Sequence, residues 1–194
     1  MVTTDSQALA ERMSVMRLHG MSKDAWRRYE LSSSWNYEVS EAGFKYNLSD
    51  IQAALGLTQL AKAHAMRDRR LSIARRYSEA LATEEAFEVI PIDVDVEHAW
   101  HLYVALLRPG VLRISRDELI IHLRRRGIGT SVHFKPLHLQ PYFQKTFGYR
   151  AGQFPIAEEY FSRCLSLPLY PSLTDEEVSI VIGALRDISR LYKR

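Results

Sequence analysis

One cysteine, Cys164, is the only thiol in 194 residues, which excludes an internal disulfide framework and fits a reducing compartment. No run approaches the roughly 18 to 20 apolar residues of a membrane span, and no charged-then-apolar leader opens the chain, so a cytoplasmic protein without membrane attachment is expected. Charge of one sign is also scarce. The 26 Lys and Arg residues against 23 Asp and Glu leave +3, with only short basic runs such as Arg124-Arg125-Arg126. That is too weak for a nucleic-acid partner, yet it suits an anionic small molecule. A glycine-rich phosphate loop, a GxSxG elbow and a paired-carboxylate arrangement are all missing, and so is a zinc motif. What remains is an ordinary globular composition, 46% hydrophobic and 25% charged, enough for the core of one domain or one and a fraction.

The pattern along the chain mixes helix and strand. Met1-Val2-Thr3-Thr4 reads as the end of a strand running into a helix, and Thr4 with Gln7 has capping-box spacing ahead of Leu9, Met13 and Met16, so a helix is predicted over about 5 to 19 with Gly20 as its stop. From Met21 to Tyr46 periodicity dissolves into Ser32-Ser33-Ser34 and scattered aromatics, Trp26, Tyr29, Trp35, Tyr37, Phe44 and Tyr46; a stretch of this length without pattern is usually functional or mobile. Ser49 and Gln52 form another capping box, opening a proline-free run to about Leu81. One helix of about 30 residues is predicted there, bridging two domains, with Leu71, Ala74, Tyr77 and Leu81 as a buried stripe. Trp100 to Leu107 reads as a buried strand. Ser115 and Glu118 cap a helix that closes on Arg124-Arg125-Arg126-Gly127, and Ile128, Thr130, Val132 and Phe134 alternate as the next strand. A helix near Ile156 to Arg163, a short strand Leu165 to Leu169, and a helix capped by Thr174 and Glu177 with Val178, Val181, Leu185 and Ile188 inward complete the reading.

Three segments have residues suited to chemistry. Gly43-Phe44-Lys45-Tyr46-Asn47-Leu48-Ser49-Asp50 puts a cation and an amide just before a helix N-terminus, where free N–H groups and the dipole attract anions; a phosphate near Lys45 and Asn47 or an ordinary turn and cap both fit. Gly127 to His138 ends in a strand that places His133 and Lys135 on one face, with His138 in the loop beyond. Hydrogen bonding to a phosphate or a sugar hydroxyl suits these histidines, as does a purely structural role. Metal binding does not, because same-face helical spacing and an intervening acid are missing. Ala99-Trp100-His101-Leu102-Tyr103 reads as core packing. Cys164 lacks a base partner and is not a nucleophile.

In this order, Gly43 to Leu60, Ala99 to Tyr103, Gly127 to His133 and Leu165-Ser166-Leu167-Pro168-Leu169 resemble the DegT/StrS sugar aminotransferases, members of the aspartate-aminotransferase-like PLP fold. Leu18-His19-Gly20 is similar to the family's Arg-His-Gly region. Lys45-Tyr46-Asn47 looks most like enzymes that aminate a 4-keto pentose on UDP in the amino-arabinose pathway of lipid A modification, where many relatives have Asn-Tyr-Arg.

The resemblance implies an α/β protein, the C-terminal part of that fold with a small α+β domain. Residues 1–48 would be the tail end of the large PLP domain and an active-site loop, 49–82 the bridging helix, and 83–194 the C-terminal domain. It further implies a homodimer with shared active sites, using pyridoxal 5'-phosphate, glutamate and a nucleotide-sugar. Asn47 would bind the cofactor phosphate of the neighbouring subunit, Lys45 and His133 would face the nucleotide-sugar, and His138 is a further candidate. The family's Schiff-base lysine, its pyridine-pairing aspartate and most of its phosphate donors fall before the position of Met1. None of Lys23, Lys45, Lys62, Lys135, Lys145 or Lys193 sits in the lysine's context, so this polypeptide alone is expected not to transaminate. Two alternatives stand beside this reading: a sugar dehydratase of the same fold, in which histidine replaces the lysine, and a non-catalytic module binding a nucleotide-sugar or another subunit.

Overall fold

The computed structural model describes residues 2–21, 38–92 and 95–194, so Lys23 and the aromatics Trp26, Tyr29, Trp35 and Tyr37 lie outside the described residues. Packing divides the chain into two compact units, 1–61 and 62–194.

The first unit opens with helix α1, Gln7–Met16. Its cap is Ser6 rather than the expected Thr4: the Ser6 hydroxyl accepts the Leu9 N–H at 3.4 Å, while the Thr4 hydroxyl takes the Ser6 N–H at 3.1 Å. Thr4 thus shapes the turn ahead of the helix, and the helix starts two residues later than the spacing predicts. After Met16 the chain turns through left-handed backbone at His19 (φ 58°) and Gly20 (φ 72°). Helix α2, Asp50–Leu60, begins at the predicted capping box: Ser49 accepts the Gln52 N–H, and the Gln52 side chain accepts the Ser49 N–H. No residue of α2 is buried within this chain.

The span predicted as one helix of about 30 residues is two, α2 and then α3, Ala63–Ala82. Lys62 (φ −98°, ψ −5°) sits in the bridge region without a side-chain cap. Neither proline nor glycine marks the break, so sequence has no punctuation to read. Instead the two stretches have different packing: α3 buries Ile73, Ala74, Tyr77 and Leu81, and α2 buries nothing. The predicted stripe holds at Ala74, Tyr77 and Leu81; Ile73 completes it, and Leu71 is only half-buried.

In the second unit β1 (Phe87–Val89), β2 (Tyr103–Leu107) and β3 (Cys164–Leu167) form an antiparallel sheet in that order. The remaining helices are α4 (Arg116–Arg125), α5 (Pro141–Phe147, preceded by a 3-10 turn over Leu137–Leu139), α6 (Pro155–Arg163) and α7 (Asp175–Tyr192). The core lies between the sheet and helices α3, α4 and α7. Tyr77, Tyr103, Phe87, Leu119, Leu165 and Leu185 are sealed in it, and each such side chain contributes about 1.5–3 kcal/mol relative to exposure. The α7 positions Val178, Val181, Leu185 and Ile188 are all buried, as their spacing predicts.

Two strands are shorter than predicted. Trp100 has φ 49°, which no extended strand accommodates, so β2 starts at Tyr103. Pro168 lacks the N–H that would continue β3. The strand predicted over 128–134 does not form. Only Ser131 pairs, as an isolated antiparallel bridge to Ser166, with N–H to carbonyl distances of 3.2 and 2.8 Å. Gly127 (φ 78°) closes α4 and Ile128 drops into the core, so the segment touches the sheet edge at one point and then leaves it. The apolar alternation came from that crossing, not from a pleat.

Candidate functional site

The first unit presents Lys45 and Asn47 on a loop held tightly by its neighbours. Phe44 N–H donates to the Met16 carbonyl at 2.7 Å, His19 N–H to the Phe44 carbonyl at 2.8 Å, and Tyr46 N–H to the Arg17 carbonyl at 2.8 Å. Leu18 and Lys45 form a bridge. The loop comes so close that a Cβ at Gly43 would run into the Gly20 backbone nitrogen, and one at Gly20 into the Glu41 carbonyl. Leu18-His19-Gly20 and Gly43 to Asn47, far apart in sequence, are therefore one structural feature. Phe44 and Tyr46 stack at 5.0 Å with planes 6° apart. By alternation Lys45 and Asn47 share the other side of the segment, Lys45 exposed and Asn47 half-buried.

The mouth of α2 is less open to an anion than the sequence suggests. The capping box already uses the Ser49 and Gln52 N–H groups, and Asp50 puts a carboxylate in the first turn. What is left for a phosphate is the Asn47 amide and the Lys45 ammonium, which form no hydrogen bond or ion pair with the described residues. An amide and a neighbouring cation fit a phosphate dianion. They provide nothing to hold a pyridine ring.

The second unit carries a cleft of about 320 Å³ whose polar lining is His101, Thr130, Ser131, His133 and Ser166. His133 is fixed by Ser166: ring nitrogen Nδ1 and the Ser166 hydroxyl are 2.7 Å apart. Ser166 is itself buried in β3. The Thr130 hydroxyl is buried on the same wall without a hydrogen-bond partner among the described residues, which leaves an unused polar group beside the cleft. Cys164, also on β3, has its thiol pushed up chiefly by burial, which keeps it protonated and inert.

The predicted site residues therefore fall in two places. Lys45 and Asn47 belong to the first unit and His133 to the cleft of the second. Lys135, expected on the same face as His133, is exposed and does not line the cleft, because no strand forms there. His138 is buried and bound 2.9 Å from Glu158 through Nε2. Glu158 also accepts the Gly152 N–H at 2.8 Å, so this pair organises the 137–158 loop and does not line the cleft. The His138 hydrogen bond holds the Glu158 carboxyl below its ordinary range. Sequence reasoning missed His101, Thr130 and Ser166. The segment Ala99 to Tyr103, expected as packing, divides: Tyr103 is core, Trp100 stacks on it at 5.8 Å, and His101 faces the cleft. A serine among the leucines of an apolar strand was the available signal for Ser166.

Comparison with solved structures defines the class. The PLP-form of the Streptococcus pneumoniae sugar aminotransferase Spr1654 matches 97% of this chain with a TM-score of 0.83 and 28% identity, the match covering 45% of that protein. The same protein is also solved in a PMP-form. The fold is thus that of the PLP-dependent sugar aminotransferases. The chain belongs to the DegT/DnrJ/EryC1/StrS aminotransferase family, whose model matches residues 1–186. It is 48% identical to the spore coat polysaccharide biosynthesis protein SpsC of Bacillus subtilis and 49% identical to the uncharacterized protein MJ1066 of Methanocaldococcus jannaschii, in each case over 97% of this chain. It spans about half the length of these curated relatives, 49% of each. Among the described residues no helix is long and apolar enough to cross a membrane, and no group of three or more His, Cys, Asp or Glu could hold a metal.

Proposed function

We propose that this chain is the carboxy-terminal part of a cytoplasmic PLP-dependent aminotransferase that moves an amino group from glutamate to a 4-keto nucleotide-sugar, a UDP-linked pentose being the substrate Lys45-Tyr46-Asn47 favours. The carrying observation is the cleft over β3, where His133 is held by Ser166 beside an unused Thr130 hydroxyl in a chain of this family. Bound PLP supplies the electron sink for moving nitrogen between donor and acceptor. The residues here bind and orient. Asn47 donates its amide hydrogens to the cofactor phosphate. Lys45 sets a positive charge against the nucleotide phosphates, and His133 offers its free ring nitrogen to the sugar-nucleotide. His138, spent on Glu158, is left out of the binding set. None of the chain's lysines has the family's Schiff-base context, so the chain by itself does not transaminate.

The exposed apolar side chains of α2 support a shared site between two subunits. Ile51 is 85% exposed, and Leu55, Leu57 and Leu60 are exposed too, on a helix that buries none of its residues in this chain. Such a helix needs cover from another protein surface.

The test is reconstitution. The chain alone, given PLP and glutamate, should show no lysine-bound cofactor absorbance and no amino transfer. Co-expressed with a polypeptide carrying the lysine-bearing half of the family fold, it should take up PLP, turn yellow and aminate a UDP-4-keto-pentose. Transfer by the chain alone would overturn the half-site reading; an assembly that holds PLP and rejects every UDP-4-keto sugar would overturn the substrate.

A further inference from the structure

His133 is held to β3 through its ring. Leu165 and Leu167 of that strand face the core, so Cys164 and Ser166 share the opposite face, and the 131–133 segment meets the strand at its edge beside Ser166. The His133 ring meets the Ser166 hydroxyl at 2.7 Å. The Ser166 backbone is fixed on both edges, by pairing with Val104 in β2 and by the two hydrogen bonds to Ser131. Its side chain therefore has one place to be.

The hydroxyl proton decides what His133 can do. Ser166 is only 4% exposed, and among the described residues its hydroxyl has a single partner, His133 Nδ1. If Nδ1 carried the hydrogen, the serine would accept it and its own O–H would be left buried without an acceptor, a loss that buried hydroxyls avoid. Donation from Ser166 to Nδ1 satisfies both groups. The ring hydrogen then sits on Nε2.

We propose that Ser166 is a positioning residue that locks His133 in the Nε2–H form, so that His133 meets its ligand as a hydrogen-bond donor to an oxygen atom. This rests on the nucleotide-sugar reading only for the identity of the ligand, whose phosphoryl and hydroxyl oxygens are the matching acceptors. It assigns His133 to recognition and excludes it as the base that removes a proton, because the nitrogen facing the ligand already bears one. It also explains why a serine interrupts the apolar run Leu165 to Leu169.

The experiment is 15N NMR of the histidine rings in the full chain, in mildly alkaline buffer. In the native protein His133 Nε2 should resonate as a protonated nitrogen and Nδ1 as an unprotonated acceptor. Ser166→Ala should move both signals toward the averaged values of a free histidine, and Ser166→Thr, which keeps the hydroxyl, should restore the native pattern. A native His133 protonated at Nδ1, or already averaged, overturns the proposal without any variant. So does a Ser166→Ala protein that folds with its His133 signals unmoved. The ligand reading fails separately: if UDP leaves the His133 signals unshifted while the native tautomer is as stated, the nucleotide assignment falls and the positioning role remains.

Discussion

Glu158 is a half-buried carboxylate that anchors its loop: it accepts from His138 Nε2 and from two backbone N–H groups, those of Gly152 and, at 3.4 Å, Phe154. Its carboxyl is held below the ordinary value first by the His138 hydrogen bond and then by the backbone donors. A carboxyl depressed in the folded state stabilises above its unfolded pKa of about 4.3 and loses that contribution as pH falls through the folded value. Thermal melts of the native chain and Glu158→Gln should therefore differ most near neutral pH and converge below about pH 4. A gap that is unchanged in acid would remove the charge from this explanation. His138, a binding candidate in sequence, is bonded to Glu158 of its own loop. At the same scale, His133 was legible as a hydrogen-bonding candidate from its place after an alternating segment, and only the family resemblance turned it toward a nucleotide-sugar. Ser166 stood out only as a serine among leucines, and its role depends on which segment meets the edge of β3.

At the scale of elements, helix starts were the most readable feature. Three capping boxes, at Ser49, Ser115 and Thr174, form where their spacing predicts, because the signal is local and reports a hydrogen bond between residues three apart. Thr174→Ala should cost about 1 kcal/mol of stability in urea unfolding, since it removes the acceptor for the Glu177 N–H; no loss would mean that burial alone fixes the start of α7. The Thr4 spacing failed locally, because Ser6 two residues on takes the cap; the other failures are non-local. The segment 128–134 has the period of a strand, yet a strand needs a partner edge, and only Ser131 meets one. Residues 61–62 have the composition of a helix interior, yet the flanking stretches pack differently, and that is decided by the rest of the molecule.

At the scale of the whole molecule, the chain is self-sufficient in one place and not in another. The second unit buries a continuous core between its sheet and helices. In the first, the α2 leucines and Ile51 lie open. If α2 forms part of a subunit contact, Leu55→Glu should lower the association state seen by sedimentation while leaving the melting of the second unit in place, because Leu55 has no part in that core. An association state indifferent to Leu55→Glu and Ile51→Glu together would assign α2 another role. The Gly20–Gly43 contact belongs to this scale as well: two motifs separated by more than twenty residues serve one purpose, holding Lys45 and Asn47 outward.

The proposed function rests most on Asn47 as the donor to the cofactor phosphate. PLP affinity of the reconstituted assembly, measured for the native protein and Asn47→Ala alongside their unfolding midpoints, addresses it directly. A hydrogen bond to a charged group is worth about 1.5–3 kcal/mol, so affinity should fall roughly tenfold to a hundredfold with the midpoint unchanged. Unaltered affinity, or a loss of folding that matches the loss of binding, would contradict it.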